Sequence, residues 1–250
     1  SLHDALPIFF ENQKDLDDAK KNNLSSAMVD RLLLNSKRIV EMAKAILEIA
    51  SLKEPVGRVL EGWVVPSGIK IEKVTIPIGV IGIIYESRPN VTSDTAALCF
   101  KSGNACVLKG GKEAFHSNAI IASLLQEVLE KHNLPKEIIS LLPDASREGV
   151  AQLIKMDKYV DLIIPRGGEA LIRFVSENAT VPVVKHDKGV CHTYIDKEAN
   201  LEQAIEIVLN AKCQRPSACN SLETLLVHEA IAKSFLPRMK EALELTGAQI

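Results

Sequence analysis

The 250-residue chain has no apolar run long enough to span a bilayer, and no N-terminal segment joins basic residues to a long apolar core. Neither a membrane-spanning helix nor a secretory leader is expected. An excess of one charge is also missing. Lys and Arg number 30 against 32 Asp and Glu, the net charge is −2, and the two signs are interspersed. That balance argues against a nucleic-acid partner and against a polybasic membrane surface. Cysteine is sparse and odd in number: Cys99, Cys106, Cys191, Cys213 and Cys219, with no C-x-x-C pair. Free thiols in a reducing cytoplasm are the expectation. Internal repeats and low-complexity tracts are absent. So are G-x-G-x-x-G and the P-loop, and no generic motif identifies a nucleotide. What is present is ordinary for a globular protein, 46% hydrophobic and 25% charged, and long enough for one or two domains.

Periodicity divides the chain into elements. Residues 14–23 are charged and predict a surface helix and a turn. Ile39, Met42, Ala43, Ile46, Leu47 and Ala50 fall on one helical face. Residues 64–77 alternate around Ser67-Gly68 and predict a hairpin. Strand and helix then alternate. Strands are expected at 80–85, 105–108, 138–142, 162–164, 181–184 and 192–195. Helices are expected at 93–101, 115–131, 147–155, 169–177 and 201–211. Short continuous apolar strands between helices predict a parallel sheet covered on both faces. Ligands of such sheets bind beyond the carboxyl ends of the strands. That rule brings together three turns, 86–90, 109–113 and 166–169.

Several groups in these turns carry chemistry. Lys109-Gly110-Gly111-Lys112 follows a strand and precedes a helix. The glycines let a ligand approach the backbone, the helix start favours an anion, and the lysines supply charge for a phosphate. A plain strand–helix turn with solvated lysines is the alternative. Arg166-Gly167-Gly168 repeats the pattern, with an exposed arginine at a helix start as its plainer reading. Arg88, after the first strand, is either a phosphate-gripping guanidinium or half of a surface ion pair. Cys219 lies in a polar turn predicted between two helical segments, after Arg215 and Pro216 and before Asn220. It is either an exposed reactive thiol or a small buried hydrophobe. Cys191, His192 and His186 match no common zinc spacing, and adjacent strand residues face opposite ways, so no metal is expected. Cys99, Cys106 and Cys213 read as packing residues.

Four ordered blocks carry a resemblance: PVGRVLEGWVVPSGIKIEKVTIPIGVIGIIYESRPNVTSDTAALCFKSGNACVLKGGKEA from Pro55, MDKYVDLIIPRGG from Met156, GVCHTYID from Gly189, and RPSACNSLETLLV from Arg215. From about Glu11 to the last residue the chain resembles the aldehyde dehydrogenase superfamily, and within it the gamma-glutamyl phosphate reductase family. The resemblance implies an α/β fold with a doubly wound parallel sheet of aldehyde dehydrogenase type, and a truncated second α/β catalytic domain. It implies an NADP-binding domain over 11–188, an oligomerisation hairpin at about 64–77, and the start of the catalytic domain over 189–250. Residues 1–10 do not continue the family pattern and are expected to be a non-native leader. The family extends beyond this chain at both ends, so a fragment is expected.

By the same resemblance Cys219 is the nucleophile, and Asn220 and Arg88 are candidates for positioning the substrate. Lys109 would hold the adenosine ribose and its substituent, with Gly110, Gly111 and Lys112 around it. A lysine-rich turn suits the 2′-phosphate of NADPH. Arg166, Gly167 and Gly168 would lie against the cofactor pyrophosphate. Hydrolytic relatives carry a water-activating glutamate where this chain reads His186-Asp187-Lys188-Gly189. Its absence favours a phosphate-linked reductase, whose intermediate ends by hydride and not by water. The implied reaction is reduction of L-glutamyl 5-phosphate to glutamate-5-semialdehyde in proline biosynthesis. A homo-oligomer is expected at full length, and pairing or fusion with glutamate 5-kinase stays open. The alternatives are another oxidoreductase of the superfamily and a nucleotide-binding fragment without catalysis.

Overall fold

In a computed structural model, residues 5–143, 146–185, 189–216, 218 and 220–247 are described. The chain divides into two compact units, Ser1–Lys185 and His186–Ile250.

The first unit opens with helices α1 (Leu6–Lys21), α2 (Ser26–Leu32) and α3 (Ser36–Ser51). Leu6–Phe10, within the segment expected to be a leader, form the first turns of α1. That helix is also less superficial than its charge pattern predicts. Asn12 and Asp15 are buried, and Asn12 donates to the Leu32 carbonyl at 2.8 Å and to the Ser117 hydroxyl at 3.0 Å. Sequence reading missed α2, although Ser25 caps it by accepting from the Met28 N–H. On α3 only Met42 is fully buried. Leu47, expected on the inner face, is exposed along with Val40.

Strands β1 (Val59–Val64) and β2 (Lys70–Val74) pair antiparallel. The hairpin therefore starts five residues before the predicted 64. Its turn is at Gly68, which takes φ +86°, a conformation that favours glycine. Every residue of both strands is exposed, including Trp63 and Val64.

The remaining elements build the sheet. They are β3 (Val80–Tyr85), α4 (Asn90–Lys101), β4 (Ala105–Lys109), α5 (Phe115–Lys131), β5 (Ile139–Leu141), α6 (Arg147–Leu153), β6 (Leu162–Arg166) and α7 (Glu169–Asn178). The four strands are parallel in the order β5-β4-β3-β6. Alternation along β3 explains its two buried faces. Ile81, Ile83 and Tyr85 pack with Val91, Ala96 and Cys99 of α4 and Leu129 of α5. Ile84 faces the other way, onto Val150 and Leu153 of α6 and Val175 of α7. Helices thus cover both faces, as the doubly wound reading requires. The strand expected at 181–184 is reduced to one parallel bridge, Ile163 to Val183. Pro182 has no N–H to donate, which limits the ladder there.

The second unit holds β7 (Cys191–Ile195), α8 (Leu201–Cys213), β8 (Leu222–Val227) and α9 (Glu229–Leu245). β7 and β8 are parallel, joined through α8, over a core of Ile195, Val208, Leu222, Phe235 and Met239. The segment after residue 219 is a strand, not the helix expected from sequence. LETLLV is a short apolar run, which periodicity alone does not separate from a buried helix. Its pairing with β7 decides the matter. Among the described residues no helix is long and apolar enough to cross a membrane, and no three His, Cys, Asp or Glu side chains cluster as metal ligands do.

Candidate functional site

The sheet order reverses at β3, since β4 and β5 lie on one side of it and β6 on the other. A crevice at such a switch point is the usual binding place in an open α/β sheet. Register brings the three strand ends level. Ile84 pairs with Lys109 and Tyr85 pairs with Arg166. The turns leaving β3, β4 and β6 are therefore neighbours, as predicted. A β-carbon added at Gly111 would lie 3.1 Å from the Ser87 nitrogen, and one at Gly167 would lie 2.6 Å from Glu86 Cδ.

These turns border a cavity of about 1040 Å³ lined by Ile84, Tyr85, Glu86, Lys109, Gly111, Lys112, Glu113, Ser146, Arg147, Val150, Ala170, Leu171 and Phe174. Three of the four predicted residues of the Lys109–Lys112 turn line it. Lys109 is only 6% exposed and Lys112 is exposed, which gives the cavity one buried and one exposed cation.

Gly110 faces away from the cavity. A β-carbon there would meet Asn118 Nδ2 at 2.2 Å and Tyr85 Cε2 at 3.3 Å. Asn118 belongs to a buried relay beneath the turn. Thr92 Oγ1 donates to Asn118 Oδ1 at 2.9 Å, so the Tyr85 hydroxyl, 2.7 Å from Thr92 Oγ1, is the donor of that pair. Burial raises the Tyr85 pKa far above the phenolic range, keeping this donor protonated. The relay ties β3, α4 and α5 together, and a glycine at 110 is what lets the turn lie against it.

The β6–α7 turn behaves differently from the prediction in detail. Gly168 caps α7, whose N-terminus receives no side-chain bond from its own cap residue. Its N–H donates instead to Glu86 Oε2 at 2.9 Å. Arg166 is exposed at the end of β6 and does not line the cavity. Its charge acts on Asp94 of α4, where it partly offsets the rise in pKa caused by burial.

Glu86, Arg147 and Phe174 are the functional candidates that sequence reading missed. Glu86 stood inside a quoted motif, but nothing in its spacing singled it out. Arg147 opens α6, whose cap Ser146 accepts from the Glu148 and Gly149 N–H groups, and that helix start was the available signal.

The turn expected to carry the nucleophile falls in the second unit. Cys219 lies outside the described residues, as does His186. Among the described neighbours of position 219, the Ala218 N–H donates to the Arg215 carbonyl at 2.9 Å and the Ser221 N–H to the Ala218 carbonyl at 3.0 Å. Lys212 Nζ donates to the Leu222 carbonyl at 2.9 Å, which ties the end of α8 to the start of β8. Asn220 is exposed in the turn. Arg88, its fellow candidate, is exposed at the start of α4 in the first unit.

The sequence profile of the aldehyde dehydrogenase family matches residues 7–247. The chain is 70% identical over 239 residues to a gamma-glutamyl phosphate reductase of Sulfurimonas denitrificans, covering 96% of this chain and 58% of that protein. It is 67% identical over 240 residues to one of Aliarcobacter butzleri, with the same coverage. The crystal structure of gamma-glutamyl phosphate reductase from Thermotoga maritima superposes with a TM-score of 0.92 at 45% identity, over 97% of this chain and 58% of that one. The chain thus spans a little under three fifths of the length of the curated relatives it matches. With its parallel sheet and the crevice at the switch point, it belongs to the aldehyde dehydrogenase family.

Proposed function

We propose that this chain acts in the NADPH-dependent reduction of L-glutamyl 5-phosphate to glutamate-5-semialdehyde and phosphate, a step of proline biosynthesis. The observation that carries the reading is 67–70% identity to gamma-glutamyl phosphate reductases over 96% of the chain. The first unit suits a dinucleotide. Its cavity of about 1040 Å³ lies at the carboxyl edge of a parallel sheet and brings Lys109 and Lys112 beside glycines that leave the backbone open. The turn at α7 already donates its Gly168 N–H to a carboxylate, so its chemistry accepts an anion. Lys112, exposed at the cavity, is the candidate for a 2′-phosphate, and Gly167 and Gly168 for the pyrophosphate. When bound, the nicotinamide supplies a hydride.

The remaining steps fall to the chain's own groups. The Cys219 thiolate forms a C–S bond to the carbonyl carbon, the C–O bond to phosphate breaks, and phosphate leaves. After reduction of the thioester the oxyanion collapses, the C–S bond breaks, and the thiolate returns. Backbone N–H groups around 219, with Asn220 or Arg88, would steady the oxyanion. Cys99, Cys106 and Cys213 carry thiols, which suits a reducing, cytoplasmic setting. The exposed apolar hairpin β1–β2 supports self-association, and pairing with a kinase that makes the acyl phosphate is the natural supply of substrate.

The test is Cys219→Ser in this chain and in a chain of the relatives' full length. Loss of turnover with NADPH binding retained is expected, and the reverse reaction should require phosphate. Full activity of the variant would sink the thioester route. A reverse rate independent of phosphate would favour a different dehydrogenase. NADPH binding without turnover in the 250-residue chain alone would identify it as a nucleotide-binding piece.

A further inference from the structure

We infer that the Glu86 carboxylate is a built-in competitor for the cofactor's pyrophosphate at the start of α7, so that binding requires Glu86 to leave. The inference rests on the cofactor reading above. Glu86 opens the turn out of β3, at the point where the sheet order reverses. Its Oε2 accepts from the Gly168 N–H at 2.9 Å. A β-carbon at Gly167 would come within 2.6 Å of Glu86 Cδ, so the carboxyl group fills the space that this glycine leaves open. Glu86 also lines the cavity with Lys109 and Lys112. The next residue, Ser87, is buried and holds φ at +21°, an uncommon backbone for a non-glycine residue.

Carboxylate and phosphate oxygens make the same demand on a helix-start N–H. One donor does not serve both, and their negative charges repel at that separation. The apparent affinity for a dinucleotide is then its intrinsic affinity scaled by the fraction of molecules in which Glu86 has moved aside. The same carboxylate favours release once the cofactor has been used.

Isothermal titration of this chain and of Glu86→Ala and Glu86→Gln tests the inference with three probes: NADPH, inorganic pyrophosphate, and adenosine 2′-monophosphate, which lacks a pyrophosphate. Glu86→Ala should bind NADPH and pyrophosphate roughly three- to fivefold more tightly. Glu86→Gln, which keeps an acceptor without the charge, should show a smaller gain, and adenosine 2′-monophosphate should be unaffected. Unchanged or weaker binding of NADPH and pyrophosphate, with a lowered Tm, would make Glu86 a structural cap and overturn the inference. So would failure of all three proteins to bind pyrophosphate. If pyrophosphate tightens but none of the proteins binds NADPH, the competitor stands and the cofactor reading falls. Should Glu86→Ala not fold, Glu86→Gln decides by the same signs.

Discussion

Gly110 shows how one missing side chain sets the shape of the site. The turn after β4 lies against Asn118, which is held by Thr92, which in turn accepts from Tyr85. Gly110→Ala would place a methyl group 2.2 Å from the Asn118 amide. Because Asn118 is buried, the relay must give way, at a cost of about 1–3 kcal/mol. A lowered denaturation midpoint is the expected result, and unchanged stability would show that Asn118 moves freely. A second residue-scale effect concerns Asp15 of α1. Its Oδ2 accepts from the Ser117 N–H at 2.8 Å and from the Ser117 hydroxyl at 2.6 Å, and its Oδ1 accepts from the His116 N–H at 3.1 Å. Burial raises its pKa, and those hydrogen bonds only partly oppose the rise. A carboxyl with a raised folded pKa holds its proton more tightly folded than unfolded. Its contribution to stability is complete below the ordinary 3.8 and is lost as pH rises through the folded value. The Tm difference between wild type and Asp15→Asn should therefore be larger near about pH 4 than near about pH 7. Thermal melts at both pH values check it, and a constant difference would contradict the assignment.

At the scale of elements, much was legible in the sequence, for physical reasons. Helix α5 was readable because Ile120, Ile121, Leu124, Leu125, Val128 and Leu129 recur at helical spacing; Ile121 and Leu129 are buried as expected, and Val128 is exposed. β3 and β4 were readable as short apolar runs between glycine and proline signals. What sequence could not supply came from long-range contacts. β8 is a strand because β7 lies beside it, and α1 is half-buried because Ser117, about a hundred residues away, needs Asp15. The 181–184 segment failed as a strand through one proline. The site was legible to the same degree. Spacing located the three turns, but the bond from Gly168 to Glu86 spans 82 positions and has no local signature. The β1–β2 hairpin makes the element-scale prediction. Its exposed Val59, Leu60, Trp63, Val64 and Ile69 leave apolar side chains on both faces of the hairpin, and exposed apolar groups in this number mark an interface. Trp63→Glu should shift sedimentation toward monomer without lowering NADPH affinity. An unchanged sedimentation profile would remove the hairpin from any interface.

At the scale of the molecule, the chain divides into two units. The first carries the sheet, the switch point and the cavity, and the second carries the βαβ unit around position 219. On the proposed function, the first unit binds a phosphorylated dinucleotide through the turns after β3, β4 and β6. The most direct test is equilibrium titration of this chain, and of Lys112→Ala, with NADPH and with NADH. Saturable binding is predicted, tighter for NADPH, with the preference reduced roughly three- to tenfold in Lys112→Ala. No binding of either nucleotide, or a preference for NADPH that Lys112→Ala leaves intact, would contradict it.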